Sequence, residues 1–214
     1  LIDEELIRQA AEILGWKGTI SYRPPHTKMF NGKPYKCKAS WRITIGSKKL
    51  VNDIINHGVG IDKSEKLHLP ALDEKLMKHF IRGFFDGDGC VTFCDPDSNT
   101  GKMYKHWITG YPFMTIIGLE SILLEMQQVL VAACGVSVTK LVREKRVKKM
   151  AMYTLNYNGV NAIAIRNFMY DGATVYLARK RKKFYSIEVP DNFTGYTIED
   201  YCEKYGFNNK TVRQ

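Results

Sequence analysis

Residues 79–93 read HFIRGFFDGDGCVTF: an apolar run punctuated by Gly83 and Gly87, two aspartates two positions apart, then an abrupt change to alternating, strand-like residues. The longer stretch ALDEKLMKHFIRGFFDGDG reads as a helix that starts near Pro70 or Asp73. Successive helical side chains turn by about 100°, so Asp86 and Asp88 point about 200° apart and cannot converge on one ion while both are helical. At most one of them faces a functional site. Leu76, Phe80, Gly83, Phe84 and Gly87 share one side of the helix, and Met77, Ile81 and Phe85 share another. A helix apolar on two sides is expected between two layers, with Gly83 and Gly87 admitting a second backbone at close range. Asp88 then emerges at the end of the glycine-bearing side. If the second helix carried its own acid, two carboxylates would meet there, a set suited to hard divalent cations. A calcium loop is not encoded. Counting from Asp86, the fifth, sixth and twelfth positions are Cys90, Val91 and Asp97, where an EF-hand needs an oxygen ligand, glycine and usually glutamate.

Outward from this stretch the chain alternates helical and strand periods. On the amino side, LIDEELIRQAAEIL places Leu1, Leu6, Ala10, Ile13 and Leu14 on one helical face and stops at Gly15. GTISYRP and YKCKASWRITIG read as strands separated by a hairpin loop, His26 to Pro34. SKKLVNDIINHG has a Ser47 cap, a stripe of Leu50, Val51, Ile54 and Ile55, and a Gly58 stop, the marks of a helix. On the carboxyl side, CVTFCDPD and YPFMTIIG are strands around a long loop, and LESILLEMQQVLVAAC is a helix. SVTKLVREKRVKKMAMYTLNYNG is a hairpin with a basic turn, VNAIAIRNFMY is a helix, and YLARKRKKF is a basic peptide. The order from Glu4 to Lys66 therefore repeats from Leu119 to Lys183: helix, strand, turn, strand, helix, basic peptide. Three units are expected: a partial first repeat over 1–70, a complete second repeat over 71–188, and a distinct tail over 189–214. In the tail, Thr197 and Asn208 can each cap a short helix around Gly206. That spacing suits the middle of a helix-turn-helix or a plain amphipathic tail.

The 214 residues carry a formal charge of +10, and the surplus is uneven. Residues 136–185 hold twelve Lys or Arg against Glu144 and Asp171. A surplus so concentrated points to a polyanion partner, most often nucleic acid. No apolar run approaches the roughly 20 residues of a membrane helix, so a membrane-spanning role is not expected. The acidic start LIDEEL lacks the basic and apolar regions of a secretory signal. Cys37, Cys90, Cys94, Cys134 and Cys202 form no CxxC pair, and His26, His57, His68, His79 and His106 are scattered. These read as reduced, buried thiols of an intracellular protein without a transition-metal site.

IRGFFDGDG, Ile81 to Gly89, resembles the nine-residue signature of the LAGLIDADG homing endonucleases, and the repeated helix and strand order is similar to that family's αββαββα unit. The resemblance spans about residues 1–188. It implies an α+β fold in which two such units pack signature helix to signature helix, their curved antiparallel sheets forming a saddle along the DNA major groove. It further implies that the second acid of the signature, here Asp88, binds Mg²⁺ or Mn²⁺ with Gly87 beside it, and that Asp86 is a structural helix-end residue. The family places a lysine beside each acid. YLARK matches that pattern at Lys180 and GIDKS at Lys63, where a cation could stabilise developing charge, help activate water, or contact phosphate. A first signature is not present in this sequence. The counterpart acid is accordingly expected from a missing first-repeat segment or from a second chain.

The function expected is a metal-dependent, site-specific double-strand DNA endonuclease, cytoplasmic in a bacterial or phage host, or organellar. A non-catalytic transcription regulator of the same fold, or an RNA-splicing maturase, are the alternatives; retention of Asp88 argues against the regulator. Base reading would fall to alternating strand residues: Thr92, then Lys140, Val142 and Glu144 with Thr154 and Asn156, and Ser21, Arg23, Lys38, Ser40 and Arg42. A register slip of one residue swaps the faces, so the alternate set stays open. Arg143, Lys145, Arg146 and Lys148 near the basic turn, Arg179 and Lys183 beside Lys180, and Lys210 and Arg213 in the tail complete the expected DNA contacts.

Overall fold

A computed structural model of the chain describes residues 3–59, 67–93, 112–145 and 151–186. Lys63, Arg146, Lys148, Lys210 and Arg213, and with them the tail over 189–214, lie outside the described residues. The fold is α+β: six helices, with every strand pairing antiparallel, among the described residues. None of those helices is long and apolar enough to cross a membrane.

The chain opens with α1 (Glu4–Ile13), which ends before Gly15, and continues into β1 (Ser21–Arg23). The segment expected as a hairpin loop is itself two further strands, β2 (His26–Phe30) and β3 (Lys33–Cys37), before β4 (Ser40–Arg42) returns to pair with β1. The reason is the dipeptide between them. Asn31 and Gly32 both take positive φ, 49° and 73°, as a two-residue turn matched to strand twist requires. Next, α2 (Lys48–Asn56) starts on Ser47, whose Oγ accepts from Leu50 N at 3.2 Å. Its apolar stripe stays largely open, with Val51, Ile54 and Ile55 exposed.

The glycine-bearing helix α3 (Glu74–Asp88) leads directly into β5 (Gly89–Phe93). β6 (Pro112–Gly118), α4 (Glu120–Cys134), β7 (Val142–Arg143), β8 (Tyr153–Asn158), α5 (Gly159–Tyr170) and α6 (Ala178–Tyr185) follow. The order from α3 to α5 is thus helix, two strands, helix, two strands, helix. The strands form one sheet in the order β5-β6-β8-β7. Burial alternates along β6, with Met114 and Ile116 inward and Phe113, Thr115 and Ile117 outward, which is the period of a strand covered on one side. Ile81 and Phe85 of α3, Ile122, Leu123, Met126 and Leu130 of α4, and Ala162, Ile165 and Met169 of α5 are fully buried against that inner face. At roughly 1.5–3 kcal/mol for each large side chain, these residues are the main stabilising mass of the molecule. The basic peptide is helical because Phe184 belongs to this core, its ring 5.8 Å from that of Phe85.

The segment before α3 is clasped to α4. Glu125 accepts from Leu69 N at 2.7 Å and faces His68 Nδ1 at 2.5 Å, while Ser121 Oγ donates to Leu67 O at 2.7 Å. Burial pushes the Glu125 pKa up, but the bonds from His68 and Leu69 more than offset it, so the carboxyl titrates below its ordinary value of 4.5. His79 is also shifted down from 6.5, by burial first and then by the charges of Arg82 and Lys78. For both groups the unfolded chain binds more protons between the folded and unfolded pKa values, so stability must fall with pH across each window. Chemical denaturation is expected to show a loss beginning below about pH 6.5, carried by His79 and flattened in His79→Gln. A second loss below about pH 4.5 is carried by Glu125 and flattened in Glu125→Gln. Equal acid slopes in wild type and both variants would contradict these assignments.

Candidate functional site

Helical geometry sends the two aspartates of α3 to opposite environments. Asp86 is 7% exposed and accepts from Tyr170 Oη at 2.5 Å and from Leu177 N at 2.9 Å, joining α3 to the end of α5 and the start of α6. Asp88 is exposed and has no hydrogen-bond or ion-pair partner among the described residues. Where α3 must hand over to β5, Gly89 is required by close approach. A Cβ there would lie 2.5 Å from Phe85 O and 2.2 Å from the Phe85 ring. Asp88 therefore sits at a fixed helix end with a free carboxylate.

Lys180 holds that helix end from the α6 side. It is 8% exposed and donates to Phe85 O at 2.6 Å and to Gly89 O at 2.5 Å, adding a second donor to the Phe85 carbonyl that already accepts the Gly89 N–H and so bracing the junction of α3 and β5. Burial lowers its pKa; Arg179 adds to the fall, and Asp86, Cys90 and Asp88 oppose it. Its neighbours Arg179 and Lys183 are exposed on α6, and Arg179 pairs with Asp3 at 3.1 Å. A residue that the sequence did not single out completes the frame. Arg82 is 6% exposed and donates to Val175 O at 2.8 Å, to Met169 O at 3.0 Å and to His79 Nδ1 at 2.7 Å. Its position within a mostly apolar helix was the signal, because a buried guanidinium needs several acceptors.

The glycine side of α3 is open. A Cβ on Gly83 or Gly87 would meet nothing within 4 Å, and Leu76 on the same side is 50% exposed. The expectation of two packed layers is thus met on one side only among the described residues. As a metal site, Asp88 offers one carboxylate next to the Gly87 backbone. No group of three His, Cys, Asp or Glu gathers among the described residues. One carboxylate together with substrate phosphates fits Mg²⁺, which keeps much of its water, better than it fits ions that demand a protein cage.

Among the described strand residues the outer face of the sheet mixes neutral polar side chains with apolar ones, Phe113 and Ile117 among them. Strand register puts Cys90, Thr92, Thr115, Thr154, Asn156 and Asn158 on it. Thr115 Oγ1 donates to Asn156 Oδ1 at 2.9 Å and Asn156 Nδ2 to Thr154 Oγ1 at 3.1 Å, fixing the amide of Asn156. Val142 pairs with Thr154 and so shares this face, whereas Arg143 pairs with Tyr153 and takes the opposite parity, exposed at the strand edge. Lys140 and Lys145, on either side of β7, are exposed, and Glu144 N donates to Met152 O at 2.8 Å. In the smaller pair, Ser21 lies opposite Arg42 and Arg23 opposite Ser40, so these four residues share one exposed face, with Lys38 exposed just before β4. Tyr22 and Trp41 take the other, their rings 4.9 Å apart beneath Arg8 of α1. Three thiols are free among the described residues; Cys37 and Cys134 are half-buried, but Cys90 is exposed rather than buried because its strand position faces outward.

Fold and site together define an α+β chain with a solvent-facing carboxylate at a helix terminus and a sheet whose outer face mixes neutral polar and apolar side chains, with exposed cations at the β7 edge. Comparison with protein-family models, with curated proteins and with solved structures returned no match.

Proposed function

We propose that the chain is a DNA-cleaving, metal-dependent endonuclease of the LAGLIDADG homing type, working with a second acid-bearing helix. The observation that carries this reading is the pairing, on one helix, of an exposed Asp88, which makes no hydrogen bond or ion pair among the described residues, with a glycine face open among them. Asp88 would hold Mg²⁺ or Mn²⁺, with the counterpart carboxylate coming from a second helix that docks on Gly83 and Gly87. Such a cation, when bound, polarises the phosphodiester and lowers the pKa of an attacking water. Lys180 acts as a positioning residue, since its bonds to Phe85 O and Gly89 O set where Asp88 stands. The neutral polar side chains of the outer sheet face, Thr92, Thr115, Thr154, Asn156 and Asn158, would be the ones to read base edges by hydrogen bonds. Exposed cations at Arg23, Arg42, Lys140 and Arg179 would supply sequence-independent attraction to phosphate.

The reading is tested by incubating the protein with a library of duplex DNA in Mg²⁺, with and without a chelator. Cut fragments with defined ends, lost on chelation, are expected; binding without scission under every assembly condition would favour the non-catalytic regulator. Docking has its own test. Gly83→Leu places a side chain where nothing stands within 4 Å, so urea unfolding of the separate chain should stay within about 1 kcal/mol of wild type or improve. Association measured by sedimentation, and scission with it, should be lost. Unimpaired association in Gly83→Leu would remove α3 as the docking helix.

A further inference from the structure

The β2–β3 hairpin has a surface that folding does not explain. Every residue from Thr27 to Lys36 is exposed, and among the described residues the two strands pair only with each other. Yet its tip carries Met29 at 66% exposure, Phe30 at 64% and Tyr35 at 59%. A two-stranded hairpin is marginal by itself in water, and clustered exposed apolar side chains mark a partner. The charge around them states what kind of partner. From Ile13 to Asn52 the sequence holds nine Lys or Arg and not one Asp or Glu. The register places Lys28, Phe30, Lys33 and Tyr35 on one face of the ribbon and Thr27, Met29, Pro34 and Lys36 on the other. Both faces thus combine apolar and cationic groups, and the tight Asn31–Gly32 turn keeps the end narrow.

We propose that the β2–β3 ribbon is an arm that enters a groove of duplex DNA tip first and opens a base step with Phe30 from one face and Met29 from the other, with Lys28, Lys33 and Lys36 neutralising the flanking phosphates. The proposal rests on the nucleic-acid reading above but adds a deformation of the DNA that scission itself does not require. Two-stranded ribbons enter either groove of DNA, and apolar side chains inserted from the minor groove unstack base steps and kink the duplex. An anionic membrane is the weaker partner, because binding a bilayer surface takes a broad apolar face, and the wedge needs only one or two side chains. Continuity also favours DNA: the strands flanking the ribbon present Arg23 and Arg42 on one exposed face.

The test uses the full chain and a duplex carrying 2-aminopurine at its centre and a fluorophore pair at its ends. Wild type is expected to raise the 2-aminopurine signal and shorten the end-to-end distance. Met29→Ala/Phe30→Ala should lose both signals and bind about tenfold more weakly, with its salt dependence unchanged. Lys28→Gln/Lys33→Gln should instead flatten the slope of log affinity against log salt by about 1.8. All four positions are exposed, so circular dichroism should match wild type. Wild-type binding without either deformation signal, or deformation that survives Met29→Ala/Phe30→Ala, overturns the wedge while leaving the nuclease reading intact. Failure of wild type to bind duplex at all overturns the nucleic-acid reading itself. Binding to phosphatidylserine vesicles that is lost in the same variant, with DNA binding unaffected, would assign the arm to membranes and sink the proposal.

Discussion

Asp86→Ala is expected to destabilise the fold by about 3–5 kcal/mol, the cost of removing one member of a buried, hydrogen-bonded charge cluster. Asp86 is 7% exposed and closes three elements on one another. Its carboxylate takes the Tyr170 hydroxyl and the Leu177 amide, and both donors would be left without an acceptor in the alanine variant. Two cations stand close enough to feel its charge, Arg82 and Lys180, each mostly buried. With the carboxylate gone, both remain desolvated, Arg82 without its nearest anion and Lys180 with only the weaker influence of Asp88. The loss is a large share of the roughly 5–15 kcal/mol that holds an ordinary domain. Asp86→Asn should fall between the two, because the amide keeps the shape and one acceptor but not the charge. Urea unfolding of the three proteins checks the order. An alanine variant within about 1 kcal/mol of wild type would mean that Tyr170 and Leu177 find other acceptors.

The same cluster marks how far the sequence could be read. Helix and strand positions were legible where local periodicity is strong: the apolar spacing of α3 and α4, the Ser47 cap, and the alternation of β6. The opposite destinations of Asp86 and Asp88 followed from helical rotation alone. What depends on distant partners was not legible. Lys180 was singled out beside the acid only through the resemblance of YLARK to a family pattern, and its burial depends on carbonyls about ninety positions earlier. Arg82 is fixed by Met169 and Val175, and nothing near it in sequence announces them. The β2–β3 hairpin was overlooked for a different reason. Asn31-Gly32 is a strong turn signal, but the surrounding lysines and prolines resemble a loop, and composition outweighed the turn. The face of each strand could not be chosen either, since one residue of slip exchanges them; the pairing of Thr115 with Asn156 fixes it.

Asp88→Asn should separate from Asp86→Ala in every readout. Asp88 is exposed and makes no hydrogen bond or ion pair among the described residues, so unfolding free energy should stay within about 0.5 kcal/mol of wild type. DNA affinity should hold or rise slightly, because a carboxylate facing phosphates repels them and an amide does not. Scission in Mg²⁺ is expected to drop by about 10³-fold. Loss of one charged ligand removes several kcal/mol of charge stabilisation at the metal, and each 1.36 kcal/mol is about a factor of ten in rate. Stability, binding and cleavage must be measured on the same preparation, since only their combination is diagnostic. A variant that cuts normally would show that Asp88 holds no essential cation, and the open carboxylate would then be a consequence of the helix ending in solvent. If cleavage and stability fall together, the defect lies in the fold around Gly89 and Lys180. Cleavage lost alone, with folding and binding retained, is the outcome a ligand role for Asp88 predicts, and a matching loss of Mg²⁺ dependence separates it from the weaker effect of its charge on Lys180.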